Sequence, residues 1–331
     1  MPSVSDADPL PLVLGDVGES GLLARLFPLL PQGSCTLLGP GDDAALVAAS
    51  DGRVVVSTDV LVEGRDFRRD WSTAQDVGWK AAAQNLADVA AMGAVPTALV
   101  VALVAPADLP VPWALDLARG LAAACEGTGA SVVGGDLSSG DAITVAVTVL
   151  GDLQGRTPVL RSGAEPGQDV ALAGTLGWSA AGLDALRRWG PDEAARRVGE
   201  QLAVHRRPRP PYRSGPLAAS AGATAMLDVS DGLLRDAARI DTASTVTIDL
   251  DAGALGPRVA ELRAPGQALG VDPWAWVLGG GEDHGLLAVF AAGQAPEGFV
   301  VIGQTRVAGA VPVLVAGAPP EAVGGWDHFA R

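Results

Sequence analysis

The sequence is poor in cysteine and in basic residues. Only Cys35 and Cys125 occur among its 331 residues, without the paired spacing of a zinc site, which argues against a disulfide framework or a secreted scaffold. We therefore expect a reducing cytoplasm. The 23 Lys and Arg residues against 38 Asp and Glu residues give a net charge of −15, which makes nucleic acid and anionic membrane surfaces poor partners. An acidic substrate would need metal ions as intermediaries.

Long apolar runs are also lacking. The most apolar run, residues 94–107, is too short to span a bilayer and contains Pro96 and Pro106, so we interpret it as a buried strand. The first 14 residues carry Asp6 and Asp8 with no basic residue before their apolar part, which does not resemble a signal peptide. No membrane association is expected.

What is present indicates two α/β domains. A chain of 331 residues with 48% hydrophobic residues has material for two cores. Glycine and proline crowd together over residues 151–167, and we place the boundary there, with an N-terminal domain of residues 1–155 and a C-terminal domain of residues 156–331. Alternating strand and helix patterns in both halves predict the α/β (α+β) class.

Three local patterns place polar residues beside buried elements. A β-branched run predicts a strand over residues 53–59 that ends in polar groups. A capping box at residues 72–75 predicts a helix that runs to about Met92. A short strand over residues 131–133 precedes Gly134-Gly135-Asp136, where glycine would let a phosphate or metal approach the backbone, although a plain tight turn explains the same pattern.

The segment Asp228-Val-Ser230-Asp231-Gly232-Leu233 sets two carboxylates and a hydroxyl between an apolar strand and a helix. Ser230 at the helix N-cap would leave free backbone amides and the positive end of the helix dipole facing an anion. The acids would then hold Mg²⁺ at that anion. Ordinary N-capping is the alternative, since Ser and Asp are favoured there in any helix.

Asp88 lies on the helix that precedes Met92. With Lys80 and Gln84 it forms a polar stripe at intervals of four residues, on a helix whose other faces are mostly apolar. A solvated surface stripe is one interpretation, but this helix has few other polar residues with which to face water. We therefore favour a site acid, which would need a cation or close hydrogen-bond donors because an isolated buried carboxylate is costly.

Common kinase signatures are missing. Lys80 is the only lysine and follows Trp79, so the chain has no G-x-x-x-x-G-K-[ST] loop, and the protein-kinase motifs are absent as well. No Ser, His or Cys stands out as a covalent nucleophile, although a triad assembled in space stays open. The acidic motifs and these absences together favour direct phosphoryl transfer assisted by Mg²⁺.

The ordered motifs resemble those of the thiamine-monophosphate kinase family over nearly the whole chain, ending at Gly325-Trp-Asp-His-Phe329. The resemblance implies the two-domain fold shared with aminoimidazole ribonucleotide synthetase, in which the N-terminal domains of two subunits pair through their sheets. A homodimer is therefore expected. The motifs are Gly41-Asp-Asp-Ala-Ala45, Ser57-Thr-Asp-Val-Leu-Val-Glu-Gly64, Asn85-Leu-Ala-Asp88, Ala91-Met-Gly-Ala94, Gly134-Gly-Asp136, Arg161-Ser-Gly-Ala164, Asp228-Val-Ser-Asp-Gly-Leu233 and Gly280-Gly-Glu-Asp283.

The resemblance also implies roles at matching positions. The positions that would hold several Mg²⁺ ions are Asp43, Ser57, Thr58, Asp59, Asp88, Asp136, Asp228 and Asp231. The positions that would contact ATP are Gly135, Asp136, Arg161 and Ser230. The positions that would contact thiamine monophosphate are Asp66, Glu282 and Trp326.

This chain departs from the family pattern at two places. Asp66 stands where histidine is usual, which would replace a neutral or cationic contact to the substrate phosphate by an anion. His284 and Gly285 replace the usual Tyr-Glu, and we assign His284 no role because such residues are more often structural than ligands. The departures bear on substrate affinity more than on the type of reaction.

The implied reaction is an in-line attack by a phosphate oxygen of thiamine monophosphate on the γ-phosphorus of ATP. Asp43 and Asp231 would act in it through metal, with no covalent nucleophile. A selenophosphate or aminoimidazole ribonucleotide synthetase is the nearest alternative. A selenophosphate synthetase would be expected to carry a reactive cysteine in a glycine-rich N-terminal segment, and none occurs before Cys35. A non-catalytic protein that binds nucleotide or Ca²⁺ for regulation is the alternative from another class.

Overall fold

The computed structural model describes residues 12–40 and 44–320 together with Gly325. Asp43 and Trp326, two predicted site residues, lie outside the described residues. The described chain forms a four-stranded and a six-stranded sheet with helices packed on them, and this mixture confirms the predicted α/β (α+β) class.

The first half builds the four-stranded sheet in the order β3-β6-β4-β5, in which the β4–β5 pair is parallel and the other pairs are antiparallel. Two short strands, β1 and β2, pair separately. The elements are α1 (Leu14–Leu26), a 3-10 turn (Phe27–Leu29), β1 (Thr36–Leu38), β2 (Leu46–Val47), β3 (Val55–Val62), α2 (Ala74–Ala91), β4 (Val95–Ala105), α3 (Val111–Cys125), β5 (Ser131–Ser139) and β6 (Thr144–Asp152).

The second half builds the six-stranded sheet in the order β12-β9-β11-β7-β10-β8. Every residue of β7, β8, β9 and β10 is buried, so these strands are covered on both faces. The elements are β7 (Asp169–Ala173), α4 (Trp178–Trp189), α5 (Pro191–Arg206), α6 (Ser214–Ser220), β8 (Ala225–Val229), α7 (Leu233–Ser244), β9 (Val246–Leu250), α8 (Ala252–Glu261), α9 (Arg263–Leu269), α10 (Pro273–Gly279), β10 (Gly285–Phe290), β11 (Val300–Val307) and β12 (Val313–Val315).

Helix α2 links the two halves. One of its faces packs on the four-stranded sheet, where Leu86 is fully buried. Its last turn belongs to a second apolar cluster, in which Ala90 packs with Met226 and Phe290 of the six-stranded sheet. The first sheet ends at Asp152 and the second begins at Asp169, so the boundary at residue 155, which stays a prediction, falls between them.

The start of α2 differs by one residue from the prediction. The capping box is formed by Thr73 and Asp76, not by Ser72 and Gln75: Thr73 N donates to Asp76 Oδ2 at 2.9 Å, and Asp76 N donates to Thr73 Oγ1 at 3.2 Å. A carboxylate is the stronger acceptor at this end of a helix because it also meets the positive end of the helix dipole. The helix still ends within a residue of Met92, as predicted.

Residues 134–136 lie inside β5, so the interpretation of this segment as a plain tight turn is wrong. The strand continues to Ser139 because Gly134, Gly135 and Asp136 pair in register with residues 100–102 of β4. A Cβ at Gly135 would lie 1.9 Å from Val101 O, which no side chain tolerates. Glycine at this position therefore permits the close β4–β5 contact.

Candidate active site

Asp88 of α2 faces β3 of the same half. Ser57 Oγ donates to Asp88 Oδ2 at 2.7 Å, and Asp59 lies two residues further along β3, on the same face of the strand. Thr58 points to the opposite face, where its hydroxyl donates to Val147 O at 3.0 Å. The strand thus brings Ser57 and Asp59 to Asp88 and turns the Thr58 hydroxyl away from them.

A third acid reaches this place from the second half. Asp228 is the fourth residue of β8 and is buried, and its Oδ2 lies 2.9 Å from His284 Nδ1. Burial raises the pKa of Asp88, and the charges of Asp228 and Asp59 raise it further, to about 7, against the opposing effects of the Ser57 hydrogen bond and the His284 charge. The acids Asp59 of β3 and Asp228 of β8 therefore both act on the charge of Asp88 of α2.

Such a group of anions fits a divalent cation. Carboxylate and hydroxyl oxygens are the donors that Mg²⁺ prefers, and a cation would relieve the repulsion that raises the pKa of Asp88. Within residues 12–40 and 44–320, however, no three His, Cys, Asp or Glu side chains are spaced to hold one ion together. The predicted ligand Asp43 falls in the gap between those ranges.

The segment between β8 and α7 differs from the prediction. The helix begins at Leu233 with Gly232 at its N-cap, so Ser230 does not cap it. The backbone N–H groups of Asp231 and Gly232 donate instead to Asp236 Oδ2, at 2.9 Å and 3.1 Å. Gly232 has φ 119°, and a Cβ there would lie 2.6 Å from Gly279 O, so the sharp turn between β8 and α7 requires glycine.

Arg239 fixes the position of Asp231. Its guanidinium pairs with Asp231 through one nitrogen and with the fully buried Asp236 through the other. Burial raises the pKa of Asp236 to about 6, although the hydrogen bond from Asp231 and the charge of Arg239 oppose this. The backbone and the side chain of Asp231 are thus both held by one buried carboxylate and one arginine, neither of which we expected from the sequence.

The exposed residues Gly135 and Asp136 adjoin an apolar cavity of about 820 Å³. Its walls come from the α1 region, from α3 through Ala118 and Leu121, and from β4 and β5. A volume of this size is ample for a nucleobase and ribose. The cavity therefore offers an apolar chamber whose rim carries an acid and a close-approach glycine.

Two other predicted residues stand apart from the acids. Arg161 is exposed, and its carbonyl accepts a hydrogen bond from Ser244 Oγ at 2.8 Å. Asp66 is half-buried, and its Oδ2 accepts from Val62 N at 2.8 Å, so the residue that replaces the usual histidine stabilises its own turn.

Glu282 lies in the loop between α10 and β10 and contacts both halves. Lys80 Nζ of α2 donates to Glu282 Oε1 at 2.9 Å, and Lys80 is only 4% exposed. The polar stripe Lys80–Gln84–Asp88 is therefore not a solvated face at Lys80. His205 and Ser179 approach the other carboxylate oxygen of Glu282.

Sequence reasoning missed several of these residues. His284 was given no role, yet it contacts Asp228. Asp283 anchors the same loop, since its carboxylate accepts from Thr175 Oγ1 at 2.9 Å and from the first backbone amides of α4, those of Trp178 and Ser179. The density of glycine and acid over residues 279–284 was the available signal, but their partners are distant in sequence.

No helix in the described part of the chain is long and apolar enough to cross a membrane.

Comparison with known proteins agrees with this geometry. Residues 41–153 match the family described as AIR synthase related protein, N-terminal domain. A thiamine-monophosphate kinase of Mycobacterium tuberculosis is 50% identical over 316 residues, which cover 96% of this chain and 93% of that protein. The chain belongs to the thiamine-monophosphate kinase family. Members of this family are phosphotransferases, so the chain is an enzyme of that class.

Other members of the thiamine-monophosphate kinase family agree over similar lengths. The protein of Corynebacterium glutamicum is 41% identical, covering 95% of this chain and 95% of its own. A solved structure of AaThiL complexed with AMPPCP and TMP superposes with a TM-score of 0.78 at 31% identity, covering 97% of this chain and 100% of that one. These likenesses confirm the resemblance drawn from the motifs and the two-domain aminoimidazole ribonucleotide synthetase-like fold.

Proposed function

We propose that this chain transfers the γ-phosphoryl group of ATP directly to thiamine monophosphate and releases ADP and thiamine diphosphate. The supporting observation is that the charges of Asp59 and Asp228, which come from the two halves, act on Asp88, to which Ser57 also donates, in a chain of the thiamine-monophosphate kinase family. The structure of AaThiL with AMPPCP, an analogue of ATP, and TMP supports the same pair of substrates for this chain.

The residues suit a transfer without a covalent intermediate. The second pKa of a phosphate monoester is about 6, so thiamine monophosphate is largely dianionic at neutral pH and needs little help from a general base. The main barrier is repulsion between two polyanions in a protein of net charge −15. Several Mg²⁺ ions, when bound, would supply the charge that lets donor and acceptor approach in line.

We assign the carboxylates to metal binding rather than to proton transfer. Asp59, Asp88 and Asp228 form the central group, and a bound dication would favour the ionised form of Asp88. Asp231 is held at the rim by Arg239. The remaining proposed ligands are Asp43, Ser57 and Asp136. The Thr58 hydroxyl donates to Val147 O on the far face of its strand and is not directed at this group.

We assign ATP to the apolar cavity beside β5. The base and ribose would occupy the chamber lined by α3, and the phosphates would extend past Gly135 and Asp136 toward the acids. Ser230 and the exposed Arg161 would contact the nucleotide from the second half. Thiamine monophosphate would lie against Glu282, with Asp66 and Trp326 as its further contacts.

We also propose that two copies pair through the four-stranded sheet. The face of this sheet away from α2 exposes Val56 at 60% and Val60 at 48%, on either side of Thr58, and such apolar exposure is typical of a contact surface. Pairing would bury them. The free cysteines, one of them buried, suit the cytoplasmic location that we propose.

The test is to incubate purified protein with Mg·ATP and thiamine monophosphate and to separate the products by chromatography. The proposal predicts thiamine diphosphate and an equal amount of ADP, both dependent on Mg²⁺. Binding of Mg·ATP without ADP release on addition of thiamine monophosphate would overturn it in favour of a non-catalytic nucleotide-binding protein.

A further inference from the structure

Lys80 is a buried cation whose charge is directed at the substrate side of the proposed site. It lies on α2, one turn before Gln84 and two turns before Asp88, and its side chain is only 5% exposed. Its Nζ donates to Glu282 Oε1 at 2.9 Å. Burying an ammonium group is costly without a partner, so this ion pair determines where both side chains lie.

The second oxygen of Glu282 is held as well. His205 Nδ1 lies 3.3 Å from Glu282 Oε2, and Ser179 Oγ donates to the same oxygen at 3.4 Å. Ser179 Oγ and His205 Nδ1 lie 3.0 Å apart, so these two side chains also hold each other. With Lys80 at one oxygen and this pair at the other, the carboxylate is fixed against rotation.

The backbone of the loop is fixed at the same point. Glu282 and His284 both have left-handed φ angles, 65° and 54°, which non-glycine residues adopt at a cost of about 1 kcal/mol or more. Glu282 N donates to Ser230 O at 2.8 Å, which joins the loop to the segment proposed to contact ATP. The anchored Asp283 lies between the two strained residues. Strain held by surrounding contacts in this way is typical of functional loops.

The fixed carboxylate is not sealed off. The Glu282 side chain keeps 37% of its surface exposed, whereas Lys80 and His205 behind it are below 10%. Burial raises the pKa of Glu282, but the Lys80 charge and the His205 hydrogen bond outweigh it and hold the pKa well below its usual range. An ionised carboxylate with a rigid backing and one open side suits a cationic or amine-bearing ring.

We propose that Lys80 is a positioning residue for thiamine monophosphate. From the N-terminal half, its ammonium group holds the carboxylate of Glu282 in the orientation that faces the thiamine moiety. The inference deepens the proposed function and rests on it for the identity of the ligand. Lys80 itself does not touch the substrate; it acts through Glu282. The site for the thiamine moiety is therefore complete only when α2 and the loop of residues 279–284 are in contact.

The test measures the Kd of thiamine monophosphate by calorimetry in the presence of Mg²⁺ and a non-hydrolysable ATP analogue, so that it does not depend on turnover. The Lys80→Met change should raise this Kd by about tenfold or more because a misplaced contact group loses most of its effect. In the Glu282→Gln background, the same change should add little. Lys80→Arg, which keeps the charge, should recover part of the affinity.

Arg207→Gln is the matched control. Arg207 forms another ion pair between the halves, with Asp76 at the start of α2, and it does not contact Glu282. It should alter the Kd of thiamine monophosphate by less than about twofold. The affinity for the ATP analogue should stay near the wild-type value in Lys80→Met, which a general loss of structure would not allow.

Should Lys80→Met fail to fold, Ser179→Ala removes a weaker contact to the same carboxylate and should raise the Kd by a smaller factor. An unchanged Kd in the folded variants, or equal losses in Lys80→Met and Arg207→Gln, overturns the inference. If the wild type binds thiamine monophosphate without forming thiamine diphosphate, the proposed reaction fails while the Kd comparison still decides the role of Lys80. If the wild type does not bind it, both fail.

Discussion

Ser57 Oγ donates a 2.7 Å hydrogen bond to Asp88 Oδ2, and this contact joins β3 to α2 at the acid group. The hydroxyl favours the ionised carboxylate, whereas burial and two neighbouring acids oppose it. The balance leaves Asp88 with a raised pKa in a protein whose proposed substrates are themselves anions. A site in this condition is built to accept positive charge.

Asp231→Asn should lower kcat by roughly 100-fold or more, on the scale found when a group that stabilises transition-state charge is removed. Steady-state turnover across a Mg²⁺ titration measures this effect. Asp241→Asn, a half-buried acid near the end of the same helix α7, is the control and should stay near wild-type activity. Near-normal turnover of Asp231→Asn at every Mg²⁺ concentration would contradict a metal-holding role.

Gly135→Ala should destabilise the protein by about 2 kcal/mol or more, because overpacked contacts force backbone shifts. The new Cβ would lie 1.9 Å from Val101 O. Gly134→Ala is a matched control on the adjacent residue, where a Cβ meets nothing within 4 Å. Urea unfolding measures both free energies, and equal values for the two variants would contradict the close β4–β5 contact as the reason for Gly135.

Asp283→Asn should flatten the dependence of stability on pH in mildly acidic solution. Burial raises the pKa of Asp283 from 3.8 to about 6, against the hydrogen bonds from Thr175, Ser179 and Trp178. Between these values the folded protein keeps a proton that the unfolded chain has released, so the contribution of Asp283 to stability falls as the pH rises through this window. The contribution of the Asp283 carboxyl to stability is fully present below pH 3.8 and is lost above about pH 6.

The measurement is the free energy of unfolding of the wild type and of Asp283→Asn at several pH values in the absence of metal. The asparagine cannot titrate, so its curve should lack the fall that Asp283 contributes. Parallel curves for the two proteins between pH 3.8 and about 6 would show that the buried carboxyl does not titrate there.

Val56→Glu should convert a homodimer to a monomer, because a charge would be buried where two sheets pair. Sedimentation velocity gives the mass of each species. Val307→Glu is the control: Val307 is also exposed, at 77%, but lies on β11 of the other sheet and should leave the assembly unchanged. A wild-type protein that sediments as a monomer would rule out the proposed pairing.

The sequence predicted those elements whose signals are local. The β-branched run predicted as a strand over residues 53–59 falls mostly within β3 (Val55–Val62), because a local β-branched pattern of this kind favours an extended chain. The helix caps were less well predicted. Ser72 and Ser230 have the right chemistry for an N-cap, but the caps are Thr73 and Gly232. In both helices a carboxylate in the first turn, that of Asp76 or of Asp236, accepts the backbone N–H groups at the helix start.

The site could be predicted only in part. Repeated acids beside glycine indicated metal and phosphate, and the charges of Asp59 and Asp228 do raise the pKa of Asp88. The groups that hold the site in place could not be found in the same way. Lys80 and Glu282 are 202 residues apart, and no local pattern reports a contact between such distant positions.

A practical property follows from the burial of the only lysine in the chain. Reagents that acylate primary amines should react slowly with the ammonium group of Lys80, because it is shielded while the two halves stay in contact. The rate at which residue 80 becomes acylated, followed by peptide mass spectrometry, therefore reports how often the halves separate. The natural sequence thus provides a single built-in reporter of domain opening.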